Sequence, residues 1–342
     1  MISTRLLLKT SAFLVSMALT APVFAQQPQS FSDVPPDHEA YEAAEFLRSQ
    51  QIIKGYDDGT FKPDKQVNRA EALKIIISPL IDQAALDQVK ETLFKDIPEG
   101  AWFMSYVEAA RQNGIIDGPP KKLKFNGDDT IITAEFLKIM QLANRIDPEV
   151  FLGELDIPLS TDVADVSAWF YPYIRYAFAS SMIMINLDGL IHPEYQLTRG
   201  DTALLMHRFM MYQQERRTQA LLSEAEQEMI ITLSMLDQGN ITQAEFAANR
   251  ALVAARGAHA KRSEEPIVKG AVKITEAFIE LTKGYRKGSE EKYNDVITHC
   301  GNAWNLATRA KELSPNLLTI ADQVQNISKK MADSARTLKA QQ

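Results

Sequence analysis

Two arginines, Arg69 and Arg199, stand in the same short context: Asn68-Arg-Ala-Glu71 and Thr198-Arg-Gly-Asp201. In the first, Asn68 is a plausible N-cap and Glu71 its capping-box partner, so the arginine sits at a helix start. A guanidinium there presents a planar fork of donors that fits a carboxylate. The backbone N–H groups beside it also favour an anion. A related stretch, Thr133-Ala134-Glu135, puts Thr133 where the arginine would be. Trp102 and Trp169 recur at one position, which is Glu39 in the first copy with Tyr41 close by. Flat aromatic rings at a surface can cover the face of a ring-shaped ligand.

Turn-forming residues surround these positions. Gly55 and Gly59 permit positive φ, Asp57 and Asp58 suit a turn, and Pro63 keeps the loop from joining a helix early. Gly118 repeats Gly55, and Asp188-Gly189 repeats Asp58-Gly59. The candidate contact residues are Arg69, Arg199, Trp102, Trp169, Tyr41, Gly55, Gly118 and Asp188.

No catalytic constellation can be read. The five histidines, at 38, 192, 207, 259 and 299, show no metal-ligand spacing. Neither a nucleophile elbow nor a phosphate-binding glycine loop is present. Asp57-Asp58-Gly59 lacks the rest of a calcium loop. The sequence therefore predicts no catalytic residue, no metal and no cofactor. A formal net charge of -7 argues against a nucleic-acid partner. A single cysteine, Cys300, excludes an intramolecular disulfide. It shares a helical face with Tyr293, Val296 and Trp304, which predicts a buried, inert thiol.

The elements that position these residues are helix–loop–helix units. Tyr41, Ala44, Phe46 and Leu47 give a short amphipathic helix leading into Ile52-Ile53. Ala72, Leu73, Ile75 and Ile76 begin the next helix. A shift of 130 residues places Arg69 on Arg199, Pro63 on Pro193 and Tyr41 on Tyr171. Between them, Phe94-Lys-Asp-Ile-Pro98 repeats Phe31-Ser-Asp-Val-Pro35. Three tandem units are expected to bury their apolar faces against one another.

This pattern resembles the S-layer homology domain: Phe-x-Asp-Val-Pro, then Gly-Tyr-x-Asp-Gly-Thr-Phe-x-Pro, then a Thr-Arg-Ala-Glu type of helix start. The resemblance covers roughly 31–212. It implies an all-α, mainly helical fold, with three repeats in a pseudo-threefold prism. It also implies that grooves between repeats bind cell-wall polysaccharide on peptidoglycan, a pyruvylated secondary polymer, without a covalent bond. The repeats are read as 31–82, 94–146 (degenerate, lacking the arginine) and 160–213. The third is one residue out of register at its start, Thr161-Asp162-Val163. Because it alone carries both Trp169 and Arg199, its residues are expected to matter most; since the resemblance puts grooves between repeats, it also allows one groove to combine Arg69 with a neighbour's aromatic.

At the N-terminus, Arg5 and Lys9 precede an apolar run and Val23-Phe24-Ala25. This predicts a signal peptide over 1–25, cut near Ala25, and an exported protein of the cell envelope. No later stretch is long and apolar enough to span a bilayer. After about Gln213 the composition turns to Ala, Glu, Gln and Lys, and residues 216–342 read as an antiparallel helical bundle or helical-repeat domain. That part is expected to fold alone and to meet an envelope protein or a second copy of itself. The function that follows is a non-catalytic envelope anchor. The alternative is a secreted or surface enzyme with the C-terminal domain catalytic and the repeats for targeting.

Overall fold

A computed structural model describes residues 29–149, 152 and 155–341, so the expected signal peptide lies outside the described residues. The fold is all-α. Among the described residues no strand forms, only three isolated bridges: Gln66 with Thr198, Asn68 with Thr130, and Ile132 with Gln196.

The first repeat contributes α1 (Tyr41–Ser49) and α2 (Arg69–Ile77), and a short α3 (Gln83–Leu86) follows. The second gives α4 (Met104–Gln112) and α5 (Thr133–Ala143), the third α6 (Tyr171–Ala179) and α7 (Arg199–Gln213). Helices pair across repeats: α4 lies on α2, α6 on α5, and α1 on α7.

Three residues close the arrangement around an approximate threefold axis. Val67 N–H donates to Leu197 O (2.9 Å), Leu197 N–H to Ile131 O (3.1 Å), and Ile131 N–H to Val67 O (3.1 Å). Their side chains are buried, so each backbone donor needs a partner, and each repeat supplies the next one's.

One aspartate fixes each loop. Asp33 accepts from Phe61 N and Lys62 N, both at 2.7 Å. Asp96 does the same with Phe125 N and Asn126 N, and Asp162 with Ile191 N and His192 N. These paired bonds hold Lys62, Asn126 and His192 at φ near +57° (57°, 56° and 57°), a conformation that side-chain-bearing residues rarely adopt. Asp162 is thus the third copy's true counterpart, and Ser160 replaces Phe31 and Phe94.

Gly55 and Gly118 are explained by those phenylalanines. A Cβ on Gly55 would stand 2.7 Å from Phe31 Cε1, and one on Gly118 would stand 3.1 Å from Phe94 Cζ and 2.6 Å from Arg111 Cδ. Where the third copy has Ser160 in place of the ring, it has Ile185 in place of the glycine.

The C-terminal half comprises α8 (Thr218–Asp237), α9 (Ile241–Lys261), α10 (Pro266–Ser289), α11 (Tyr293–Leu313) and α12 (Leu318–Lys339). Each packs on the next in sequence. Cys300 is buried with Val296, Ala332 and Ala335, and burial pushes its thiol up to about 11. Trp304, expected on the same face, is instead 40% exposed, because it falls on the solvent side of α11.

This half packs against the repeats. α9 crosses α6, and Val253, Ala254, Ala255 and Ala258 join one continuous core with Tyr176 and Phe178. Arg250, buried, donates Nη1–H to Leu159 O (2.6 Å) and pairs through Nε and Nη2 with Glu228 (2.8 Å each). Asn249 Nδ2 donates to Pro158 O at 2.7 Å. The change of composition after Gln213 therefore marks a change of architecture and not a gap in the core.

The crossing is tight at Gly257, where a Cβ would fall 1.6 Å from Ala179 O. Gly257→Ala should cost about 2–3 kcal/mol or more, because backbone on both helices must shift. At Gly301, on the exposed side of α11 with open space around it, the same change should stabilise by about 0.5–1 kcal/mol. Urea denaturation of the two variants checks this opposition of sign.

Candidate functional site

Three grooves surround the axis at equivalent places, and each is lined by all three repeats. In groove 1, the loop and helix of repeat 1 supply Gly55, Tyr56 and Lys74. Repeat 2 supplies Trp102 and repeat 3 supplies Arg199. Groove 2 moves everything on by one repeat: Asp117 and Lys138, then Trp169, then Arg69. Groove 3 has Asn186 and Leu204, then Glu39, then Thr133. Their volumes are about 260, 450 and 620 Å³.

The structure therefore separates Trp169 from Arg199. The grooves hold two mixed sets, Arg199 with Trp102 and Arg69 with Trp169, the second being the combination of Arg69 with a neighbour's aromatic that grooves between repeats allow. The physical reason is rotation about the axis: an arginine at a helix start reaches onto the next repeat's loop, whereas the tryptophan lies beside the preceding repeat's helix.

Each arginine does two things at once. Arg199 Nε–H donates to Phe61 O at 2.8 Å, and its guanidinium lies 5.0 Å from the Tyr56 ring centre and 4.8 Å from that of Phe61. Arg69 Nε–H donates to Phe125 O at 3.3 Å, with the Phe125 centre at 5.4 Å. That bond takes one donor and does not involve the terminal N–H groups. In groove 2, however, Arg69 Nη1 meets Glu135 at 3.3 Å.

The caps explain this difference. α2 starts on a full capping box, Asn68 with Glu71, and Lys65 holds Glu71 from outside at 2.9 Å. α7 starts the same way, Thr198 with Asp201. α5 begins after Ile132, which has no side chain to cap with, so Glu135 is left to pair with Arg69.

Sequence reasoning missed a lysine in both cationic grooves. Lys74 Nζ lies 5.3 Å from the Trp102 ring centre and 6.0 Å from that of Tyr106. Lys138 repeats this with Trp169 at 5.3 Å and Tyr173 at 5.8 Å. Both lysines fall five residues after the arginine position, and Leu204 holds that place in the third copy; the repeat alignment alone could have flagged them. Trp102 and Trp169 are 53% and 50% exposed, so they are not fillers of the prism core.

The remaining expected residues serve the frame. Gly118 packs behind groove 2 against Arg111 and Phe94. Asp188 builds its turn: Leu190 N–H and then His192, 2.6 Å away, hold its carboxyl below the usual range. Tyr41 packs against the core at the start of α1. Gly55 alone of these four borders a groove directly.

Comparison with known proteins gives one family. Residues 30–73 and 93–137 match the S-layer homology domain. The third repeat lies outside the match and has the same ring bond, aspartate clamp and capping box. A surface-layer 125 kDa protein of Lysinibacillus sphaericus is 28% identical over 201 residues, 58% of this chain and 16% of that protein. A cellulosome-anchoring protein of Acetivibrio thermocellus is 36% identical over 183 residues, 52% of this chain and 36% of that protein. An amylopullulanase of Thermoanaerobacterium thermosulfurigenes is 25% identical over 179 residues, 52% of this chain and 9% of that protein. The chain spans well under half the length of these curated relatives. Among the described residues no helix is long and apolar enough to cross a membrane.

Proposed function

We propose that this chain, which carries S-layer homology domains, is a non-catalytic anchor of the cell envelope. Its repeats hold a peptidoglycan-linked, pyruvylated polysaccharide without a covalent bond. The observation that carries this reading is one trio assembled twice: an arginine, a lysine and a half-exposed tryptophan drawn from three repeats into one groove. A carboxylated sugar needs a cation for its charge and a flat face for its ring, and each groove offers both. The C-terminal helices are displayed to an envelope protein or to a second copy. Export, with cleavage near Ala25, completes the proposal; N-terminal sequencing of the protein recovered from cells should begin near Gln26.

The decisive experiment is a pull-down of the chain on purified sacculi, with and without their secondary polymer. Binding should follow the polymer. Equal binding to stripped sacculi would move the site onto peptidoglycan itself, and no binding to either would end the anchoring reading. Since an amylopullulanase is among the relatives, a surface enzyme that uses the repeats for targeting is the competing reading. It requires turnover of a glycan by the same preparation.

A further inference from the structure

Groove 3 departs from the other two at the arginine, lysine and tryptophan positions. The same frame occurs three times in the chain, so each lining residue has two internal comparators. The arginine becomes Thr133, whose Oγ1 donates to Tyr195 O at 3.2 Å where the arginines donate Nε–H to a loop carbonyl. The lysine becomes Leu204 and the tryptophan becomes Glu39.

The rim changes as well. Lys54 and Asp117 correspond to Met184, and Lys65 and Asp129 to Tyr195. These two residues line the groove and are 47% and 54% exposed. Scattered exposed apolar residues need no explanation, but a cluster around one concavity does. The floor, built from Met182, Ile183 and Leu205, is apolar as it is in the other two grooves.

Charge narrows the occupant. Glu39 is exposed and lines the groove; the other lining carboxylate, Asp201, is held in the capping box of α7. Arg208 lines the groove too, donates to Met182 O at 3.0 Å and lies close enough to Glu39 to feel its charge. Across residues 29–215 there are 17 Lys and Arg against 29 Asp and Glu, so the whole prism repels acidic partners that lack a dedicated cationic groove.

We propose that groove 3 docks a protein segment carrying an apolar anchor flanked by lysine or arginine. The anchor lies over Met182, Ile183 and Leu205 between Met184 and Tyr195, and the basic flank faces Glu39. The proposal is independent of what grooves 1 and 2 hold.

Three labelled synthetic peptides test it on the full chain by fluorescence anisotropy at physiological ionic strength, where exposed charges on separate surfaces are largely screened. One peptide combines leucine and lysine, one leucine and glutamate, one serine and lysine. The leucine–lysine peptide should bind about tenfold tighter than either other, a difference of roughly 1.4 kcal/mol. Met184→Lys with Leu204→Lys, the residues the first copy carries at both places, should remove that advantage while circular dichroism and wall-polymer binding stay as they were. Equal binding of the serine–lysine peptide would reduce the effect to net charge and overturn the proposal. Unchanged affinity in the double variant would place the peptide elsewhere and also overturn it. Self-association of the chain that this same variant abolishes, seen by sedimentation, would make a second copy the occupant instead.

Discussion

Arg199→Ala should weaken binding to the wall polymer by about 1.5–3 kcal/mol, the usual loss for a hydrogen bond to a charged group. Arg69→Ala should cost less, because Glu135 already competes for its Nη1 at 3.3 Å. Thr133→Ala should cost almost nothing. Removing both arginines should cost the sum of the two single losses, less than twice that of Arg199→Ala, since they occupy separate grooves and distant sites add. Pairing identifies the grooves. Arg199→Ala with Trp102→Ala should be non-additive, whereas Arg199→Ala with Trp169→Ala should simply sum. Binding isotherms on the set, with folding checked by circular dichroism, decide the matter. Unchanged affinity in both single arginine variants would confine these residues to holding the Phe61 and Phe125 carbonyls.

Arg250→Ala should unfold the chain more readily than any groove substitution, by about 3–5 kcal/mol, because it strands a buried carboxylate. Glu228 is only 6% exposed, and its two oxygens meet Arg250 Nε and Nη2 at 2.8 Å. The loss should reach both halves, since Arg250 Nη1 also donates to Leu159 O at 2.6 Å. Arg250→Met with Glu228→Leu should recover most of the stability, as an apolar pair of similar volume leaves no orphaned charge. Thermal melts monitored by helix content and by tryptophan fluorescence, with Trp102 and Trp169 reporting on the prism, should shift together. A melt in which only the C-terminal helices shift would contradict the shared core.

Much of this architecture is legible in the sequence because it is local. The Asn68–Glu71 and Thr198–Asp201 boxes, the loop aspartates and the apolar stripes of α8–α12 each depend on a few neighbouring residues. Grooves between repeats allow an arginine to meet a neighbour's aromatic, but which neighbour supplies which ring depends on rotation about the axis and could not be read. Arg199 and Trp102 share a groove across 97 positions of sequence, and no local pattern announces the match. Gly55 and Gly118 mislead for a related cause. A glycine beside a groove suggests room for a ligand, yet each makes room for a phenylalanine behind it. The α6–α9 crossing is hidden because Gly257 looks like an ordinary helix glycine until Ala179 is placed against it.

The three hydrogen bonds among Val67, Ile131 and Leu197 bear on how the chain folds. They join residues separated by 64, 66 and 130 positions, and the last cannot form until the third repeat has been reached. In a stacked solenoid, each added unit is rewarded by contact with the one before it. Here the second repeat gains only part of its partners, and the largest gain arrives when the first and third meet. Such long-range closure should make folding slow for so helical a protein and leave no populated species with two repeats in place.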